Sequence, residues 1–468
     1  LLNFFRGYSS LHLFGLVLFF IVIRIPFFLY ESPILIPELG WMLVGEQMSK
    51  GFILYKDIWD NVSPLAGAVY WGMDLLFGRS QFAYHCVALA ISLFQIIYFN
   101  YIFVSRDMFP ERSVIPGAIY AILLSISFDM ATLSPMLLST TFLLLALGGM
   151  VRVVAKRQAT SEAFEMGIYI GTAVLFYLPS GLFFFWVIFS LLFYSIASIR
   201  NYFLVVLGTA LPLFMTALVI YLNNAADSAA LNIFNSLWDI KSYDLNSLYS
   251  TLTALFVPVL TGILGFMKMN TSKRFFNYQI RMQQVMALWV IFATFSIPFK
   301  QYLAPIQFIN FIPALAFFAT FFFINSKNWL YTELQFVLML VVILSVQYFG
   351  LINFLPGAKP VQLETLQVKK AVLPEEIYNR KILVLGADEG EYLHNQSATP
   401  YLNWELASNY LTNLDNFDSV IHIYDSFRQD PPDYVIDKVN LMPKVFARIP
   451  ELKSEYKPSQ WKGIYERN

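Results

Sequence analysis

The chain has 468 residues, of which 57% are hydrophobic and 13% charged, with 31 Lys and Arg against 31 Asp and Glu. An ordinary soluble domain carries about 25% charged residues, so this deficit, with repeated apolar runs near 20 residues long, excludes a soluble protein with one large core. Zero net charge and a pI of about 7.1 exclude nucleic-acid binding, and the single cysteine, Cys86, excludes an internal disulfide or a cysteine metal cage.

The apolar runs lie at roughly 11–30, 82–104, 114–128, 130–150, 166–178, 181–198, 202–222, 248–267, 284–297, 304–325 and 334–354, which gives about eleven transmembrane helices. The first has no cleavage-site pattern behind it and reads as a retained span rather than a signal peptide. Between the first two runs lies Ile34–Ser80, which holds Glu38, Glu46, Asp57, Asp60 and Asp74. Its part 31–63 reads as an acidic outer loop. The stretch after Pro64, LAGAVYWGMDLLFG, is short and contains Asp74. If it does not cross the membrane, the basic loops at Arg106/Arg112, Arg152/Lys156/Arg157, Arg200 and Lys268/Lys273/Arg274/Arg281 all fall on one side, which is then cytoplasmic. The N-terminus is accordingly expected inside. The loops 31–63 and 223–247 and everything from about 355 are expected outside.

Beyond the Pro/Gly-bearing linker FLPGAKP the composition changes. KILVLGA at 381–387 reads as a buried strand, YLNWELASNYL and SVIHIYDSF as helices, PDYVID as a strand, KVFARIPEL as a helical piece and GIYERN as a last strand. Alternating strands and helices make a small extracytoplasmic α/β domain at 355–468, following a transmembrane domain at 1–354. No G-x-G-x-x-G accompanies Gly386, so this is not a dinucleotide site.

A first span with an arginine near its outer end (IRIPFF), an acidic residue after a short link, the helix WMLVGEQMSKG, then LYKDIWDN-SPL and LFGRS follow in order. This order resembles the integral-membrane GT-C glycosyltransferases, especially their ArnT-like and Rgt-like branch. DPPDYVID in the tail is similar to a strand of that branch's outer domains. The resemblance implies a GT-C-like fold in a bacterial inner membrane. It also implies inverting transfer of a sugar from a polyprenyl-phosphate carrier to a lipid, glycan or protein acceptor on the outer face. Two departures stand out. Pro37-Glu38 occupies the place of the family's Asp-Glu pair, and Val62-Ser63-Pro64 replaces a basic residue and double proline. The alternative is therefore a non-catalytic GT-C-derived scaffold, an envelope-assembly or secretion component binding lipid or protein partners.

Inverting transfer needs a carboxylate to take the acceptor hydroxyl's proton. Glu38 is the candidate base, and its place after Pro37 equally suits a helix cap. Asp57 and Asp60, with Lys56 beside them, either bind acceptor or form the turn into the next helix. They could also hold a divalent cation, the one cofactor considered, although no His cluster accompanies them and no metal ligands are assigned. A phosphate leaving group needs cations. Arg24, Arg79 and Lys300, the last with Tyr302 nearby, are the outer-side candidates, with interfacial snorkelling as the alternative for Lys300. Trp238 beside Asp239 suits sugar stacking or interface anchoring.

Overall fold

A computed structural model describes all residues except 30–31, 157–159, 195–197, 239–244, 272–274, 301, 326–327, 350–365, 388 and 399. Each of the eleven apolar runs contains a helix. Among the described residues seven helices are long and apolar enough to cross a membrane: Ser10–Leu29, Gln81–Val104, Pro135–Ala155, Ile199–Leu222, Leu248–Met269, Pro305–Ile324 and Trp329–Tyr348. The other runs hold shorter or less apolar helices, with 3₁₀ turns at Phe128–Ala131 and Leu178–Leu182, and the span Pro305–Ile324 itself opens with a 3₁₀ segment, Pro305–Phe311. Prolines at 135, 179 and 305 stand at the starts of new helical segments, where their missing N–H leaves no bond unmade.

The residues divide into two compact units. One is Leu1–Ser32, Gln81–Thr216 and Ile240–Thr365; the other is Pro33–Ser80, Ala217–Asp239 and Leu366–Asn468. This partition groups the acidic segment after the first span with the tail, whereas a boundary at 354 leaves it with the helices.

The first unit packs as membrane helices do, by close backbone approach and internally bonded polar groups. A Cβ on Gly167 would come within 3.0 Å of Gly208 Cα, so only paired glycines let these helices meet. Trp186 and Trp289 pack edge to face at 4.8 Å, and their indole N–H groups donate to Val285 O and Asn310 O. Gln95 donates to Leu137 O and accepts from the Tyr120 hydroxyl, satisfying a buried amide without water.

In the second unit, helices Ile36–Ser49 and Pro64–Phe77 form a hairpin. Gly45 lies against Tyr70 O, where a Cβ would come to 2.4 Å, and Trp41 stacks on Tyr70 at 5.7 Å. The second helix spans only 14 residues and closes on Gly78, whose φ of 63° is the left-handed value that ends a helix. The tail forms a five-stranded sheet from β1 (Lys381–Leu385), β2 (Gln396–Ser397), β3 (Tyr434–Asp437), β4 (Tyr456–Pro458) and β5 (Ile464–Arg467), in the order β2-β1-β3-β5-β4. β1 is parallel to both β2 and β3, and β5 is antiparallel to β3 and β4. β1, β3 and β5 fall on the strands expected from sequence. β2 and β4 are two and three residues long, too short for any alternating pattern to show. Helices Trp404–Leu411 and Phe417–Gln429 carry Asn403 and Asn416 as N-caps, each side chain accepting a backbone N–H of the first turn. The stretch 223–247, expected as a polar loop, contains the helix Ala226–Trp238.

Candidate functional site

The acidic segment is built around its first helix. Pro37 sits in the first turn with φ already helical, and Glu38 folds back so that its Oε2 accepts the Leu35 N–H at 3.4 Å. Glu38 is 1% exposed, so its carboxylate is engaged at the helix N-terminus. After Gly51 the chain enters a tight loop. Tyr55 takes the left-handed φ of 71°, costly for a residue with a Cβ, and is pinned by its N–H to Ile58 O and its hydroxyl to Val62 O at 2.7 Å. Asp57 accepts Ile53 N–H at 2.9 Å and the Gln429 side-chain amide at 3.0 Å. Asp60 is buried, and its Oδ1 accepts Val62 N–H at 2.8 Å in a turn that leads into the helix from Pro64. Lys56 is exposed.

Trp59 locks this loop to the tail. Its ring lies 5.3 Å from Tyr401, 4.5 Å from Tyr410 and 4.4 Å from His422, and its backbone bonds to Pro400 O and Asn403 N. It belongs to the same hydrophobic core as Leu383, Leu385, Val435 and Phe427. Burial pushes the His422 imidazole below its ordinary value, which favours the neutral ring where it lies tilted against Trp59. Arg79 is a second tie: it pairs with Glu46, which Lys50 also contacts at 2.8 Å, and donates to Tyr392 O at 2.6 Å and Asn395 O at 3.0 Å. Burial alone would raise the Glu46 carboxyl, but Arg79 and Lys50 outweigh it and hold it below its ordinary value. With four hydrogen bonds made by its Nε, Nη1 and Nη2, Arg79 serves as a strut between the acidic helices and the tail.

One carboxyl in this unit was not apparent from sequence. Glu389 follows β1, and its Oε2 is shut off from solvent and accepts no hydrogen bond. It lies 3.9 Å from where a Cβ on Gly40 would stand, against the first acidic helix. Burial, and then the negative charge of Asp60, push its pKa up to about 8. Glu389 is therefore largely protonated near neutral pH, and it feels the negative charge of Asp60. The signal that could have found Glu389 is topological. In a parallel β2-β1-β3 order, ligands bind beyond the carboxyl ends of the central strands, and Glu389 stands four residues past Leu385. Among the described residues no group of three His, Cys, Asp or Glu is placed to hold a metal ion.

The remaining candidates belong to the helical unit. Arg24 is 4% exposed; its Nη2 donates to Leu124 O at 2.8 Å, and its guanidinium lies over Phe20 and Phe27. Lys300 is 3% exposed, donates to Gln307 O and faces the Phe308 ring at 4.8 Å, so it is an enclosed lysine and does not snorkel. Tyr302 is half-buried, with its hydroxyl shielded from solvent. Burial also encloses Asp129, whose Oδ2 accepts the Ile306 N–H at 2.8 Å. Trp238 closes the helix Ala226–Trp238; its side chain, with Asp239, Tyr243, Asp244 and Gln301, lies outside the described residues.

No protein-family model and no curated protein matches the sequence. Among solved structures the chain is similar to ArnT from Cupriavidus metallidurans bound to undecaprenyl phosphate, with 14% identity and a TM-score of 0.51 over 73% of this chain and 66% of that one. The apo state of the same protein gives 15% identity and the same TM-score and coverage. The archaeal oligosaccharyltransferase AglB from Archaeoglobus fulgidus, in complex with an inhibitory peptide and a dolichol-phosphate, aligns over 97% of this chain and 74% of its own at 10% identity and a TM-score of 0.47. The chain thus spans slightly less than two thirds of the length of ArnT. The likeness to ArnT shows the fold: a multi-pass helical membrane protein of GT-C-like architecture with a small C-terminal α/β domain.

Proposed function

We propose that this protein transfers a glycosyl group from a polyprenyl-phosphate carrier to a lipid, glycan or protein acceptor at the outer face of a bacterial inner membrane, within the cell envelope. The second unit supplies the carboxyl groups that handle the acceptor's proton. Asp60 is the base in this reading and Glu389, protonated near neutral pH, its partner; Glu38 caps the helix Ile36–Ser49, which precedes the loop that carries Asp60. The acceptor oxygen bonds to the anomeric carbon as the bond to phosphate breaks, the phosphate leaves with the electron pair, and Asp60 takes the hydroxyl proton. The observation that carries this reading is the Asp60–Glu389 carboxyl pair on a GT-C-like fold. Purified protein in proteoliposomes, given a panel of polyprenyl-phosphate sugars with lipid and peptide acceptors, is expected to release the polyprenyl phosphate. No release across the panel favours the second reading, a non-catalytic scaffold. One observation supports that rival: Glu38, Asp57 and Arg79 are each engaged in bonds that hold the unit together.

A further inference from the structure

The tail sheet carries an open groove of about 360 Å³ lined by Arg380, Asp433, Tyr434, Glu466, Arg467 and Asn468. It lies where β1 and β3 begin and β5 finishes, and the five residues of β1 separate it from the loop that holds Glu389. Strand pairing fixes how the lining residues meet. Asp433 N–H donates to Lys381 O and Arg467 N–H donates to Asp433 O, so Arg380, Asp433 and Arg467 stand side by side at the ends of three neighbouring strands. Strands lie about 4.8 Å apart, which puts the backbones of Arg380 and Arg467 roughly 10 Å from each other with Asp433 between them. Tyr434 and Glu466 are paired directly across β3 and β5, so their side chains leave the same face of the sheet.

The backbone here is held firmly. Arg380 N–H donates to Asn395 Oδ1, Arg380 O accepts the Gln396 N–H, and the Asn468 side chain donates to Ser454 O. The cationic ends are not held. Arg380 and Arg467 are exposed, and among the described residues neither guanidinium makes a hydrogen bond or an ion pair, although Asp433 and Glu466 line the same groove. The carboxylates are only partly engaged: Asp433 Oδ2 accepts the Lys381 N–H at 3.2 Å, and Glu466 pairs with Lys457 at 3.2 Å. Charge of both signs in alternation restricts the ligand. A uniform polyanion meets Asp433 and Glu466, and a uniform polycation meets both arginines. A molecule with separated carboxylates and hydroxyl groups between them satisfies the whole set. Each guanidinium can grip a carboxylate through two parallel N–H bonds, and Asp433 and Glu466 can accept from hydroxyl groups. The half-buried Tyr434 adds an apolar ring face with a hydroxyl at its edge. These are the features that a saccharide built from uronic acids requires.

We infer that this groove binds an acidic saccharide, with Arg380 and Arg467 holding carboxylates of two sugar units and Asp433 and Glu466 accepting hydroxyl hydrogen bonds. The site is separate from Asp60 and Glu389, and its occupancy requires no turnover.

The test is equilibrium binding to the full chain in nanodiscs of zwitterionic lipid, measured by calorimetry. The probes are tetragalacturonate, its methyl ester, tetraglutamate and inorganic phosphate. Tetragalacturonate is expected to bind saturably and at least about tenfold more tightly than the ester, which keeps every ring hydroxyl and loses the charge. Arg380→Gln and Arg467→Gln are each expected to weaken it about tenfold. Both positions are exposed, so the fold is expected to stand, and an unchanged melting temperature checks this. Glu466→Gln separates a saccharide from a bare anion: it should weaken tetragalacturonate by about threefold and strengthen tetraglutamate. Tetraglutamate or phosphate binding as tightly as tetragalacturonate would overturn the saccharide as the ligand. Equal affinity for acid and ester, binding unchanged within about twofold in both arginine variants, or no saturation by tetragalacturonate up to about 1 mM would overturn the site.

Discussion

The two units satisfy their charged groups in opposite ways. In the helical unit the buried cations Arg24 and Lys300 are held by backbone carbonyls and aromatic faces, with no ion pair to an acidic side chain among the described residues. In the second unit charge meets charge and side chain meets backbone across the sequence. Arg79 reaches Glu46, Tyr392 and Asn395; Asp57 reaches Gln429; Gln47 reaches Ser397. The first pattern leaves the Arg24 Nη1 without a hydrogen-bond partner among the described residues. The second is a network of side chains tied across long stretches of sequence, in which the Glu389 Oε2 is among the buried atoms left unbonded.

The contrast predicts that the second unit breaks by losing long-range ties. Trp59→Ala has the largest expected effect, about 3–5 kcal/mol, because it empties an aromatic site in the core of the tail and frees the loop that carries Asp60. Hydrogen exchange at the β1 and β3 amides should then rise steeply, while the helix Pro305–Ile324 stays protected. Exchange rising equally in both would merge the two units into one. Arg79→Ala ranks second, at about 2 kcal/mol, since it removes one of the two cations on the partly buried Glu46 and strands two carbonyls. Restoring protection with the second change Glu46→Gln would confirm that the stranded charge is the cause.

The third effect shows itself only as pH changes. Glu389 has a pKa raised to about 8 from an ordinary 4.5, so its contribution to stability is complete below about pH 4.5 and is lost as pH rises through about 8. Glu46, held below its ordinary value, contributes in the opposite sense, and its share is lost on acidification. Glu389→Gln should flatten the alkaline side of the second unit's stability profile and leave the acid side unchanged. The expected gain near pH 8 is about 2–4 °C in melting temperature per kcal/mol recovered. An unchanged alkaline limb would separate Glu389 from Asp60.

Legibility in the sequence followed the same divide. Apolar periodicity located the helical runs, because membrane spans must be long and continuous. It also found β1, β3 and β5, whose inward residues Ile382–Leu385, Val435–Ile436 and Ile464 are apolar. The acidic cluster 38–60 was visible as composition, but not its bonding. Nothing local to Trp59 reveals that it fills a core some 340–365 residues further along the chain, among Tyr401, Tyr410 and His422. The ties of Arg79 to the tail were not legible because Tyr392 and Asn395 act through backbone carbonyls, which any sequence could supply. Glu389 escaped notice because its meaning depends on strand order, and β2 is too short to announce that order.

The most direct test of the central claim compares Asp60→Asn with Glu38→Gln, reading the initial rate of polyprenyl-phosphate release per folded molecule at saturating donor. Asp60→Asn keeps the oxygen that accepts the Val62 N–H but cannot take a proton, so the account predicts a loss of about a hundredfold or more in kcat. Glu38→Gln keeps an acceptor for the Leu35 N–H and should fall by less than about tenfold. The reverse order, with Asp60→Asn near wild-type rate and Glu38→Gln inactive at equal abundance, would contradict the assignment of the base to Asp60.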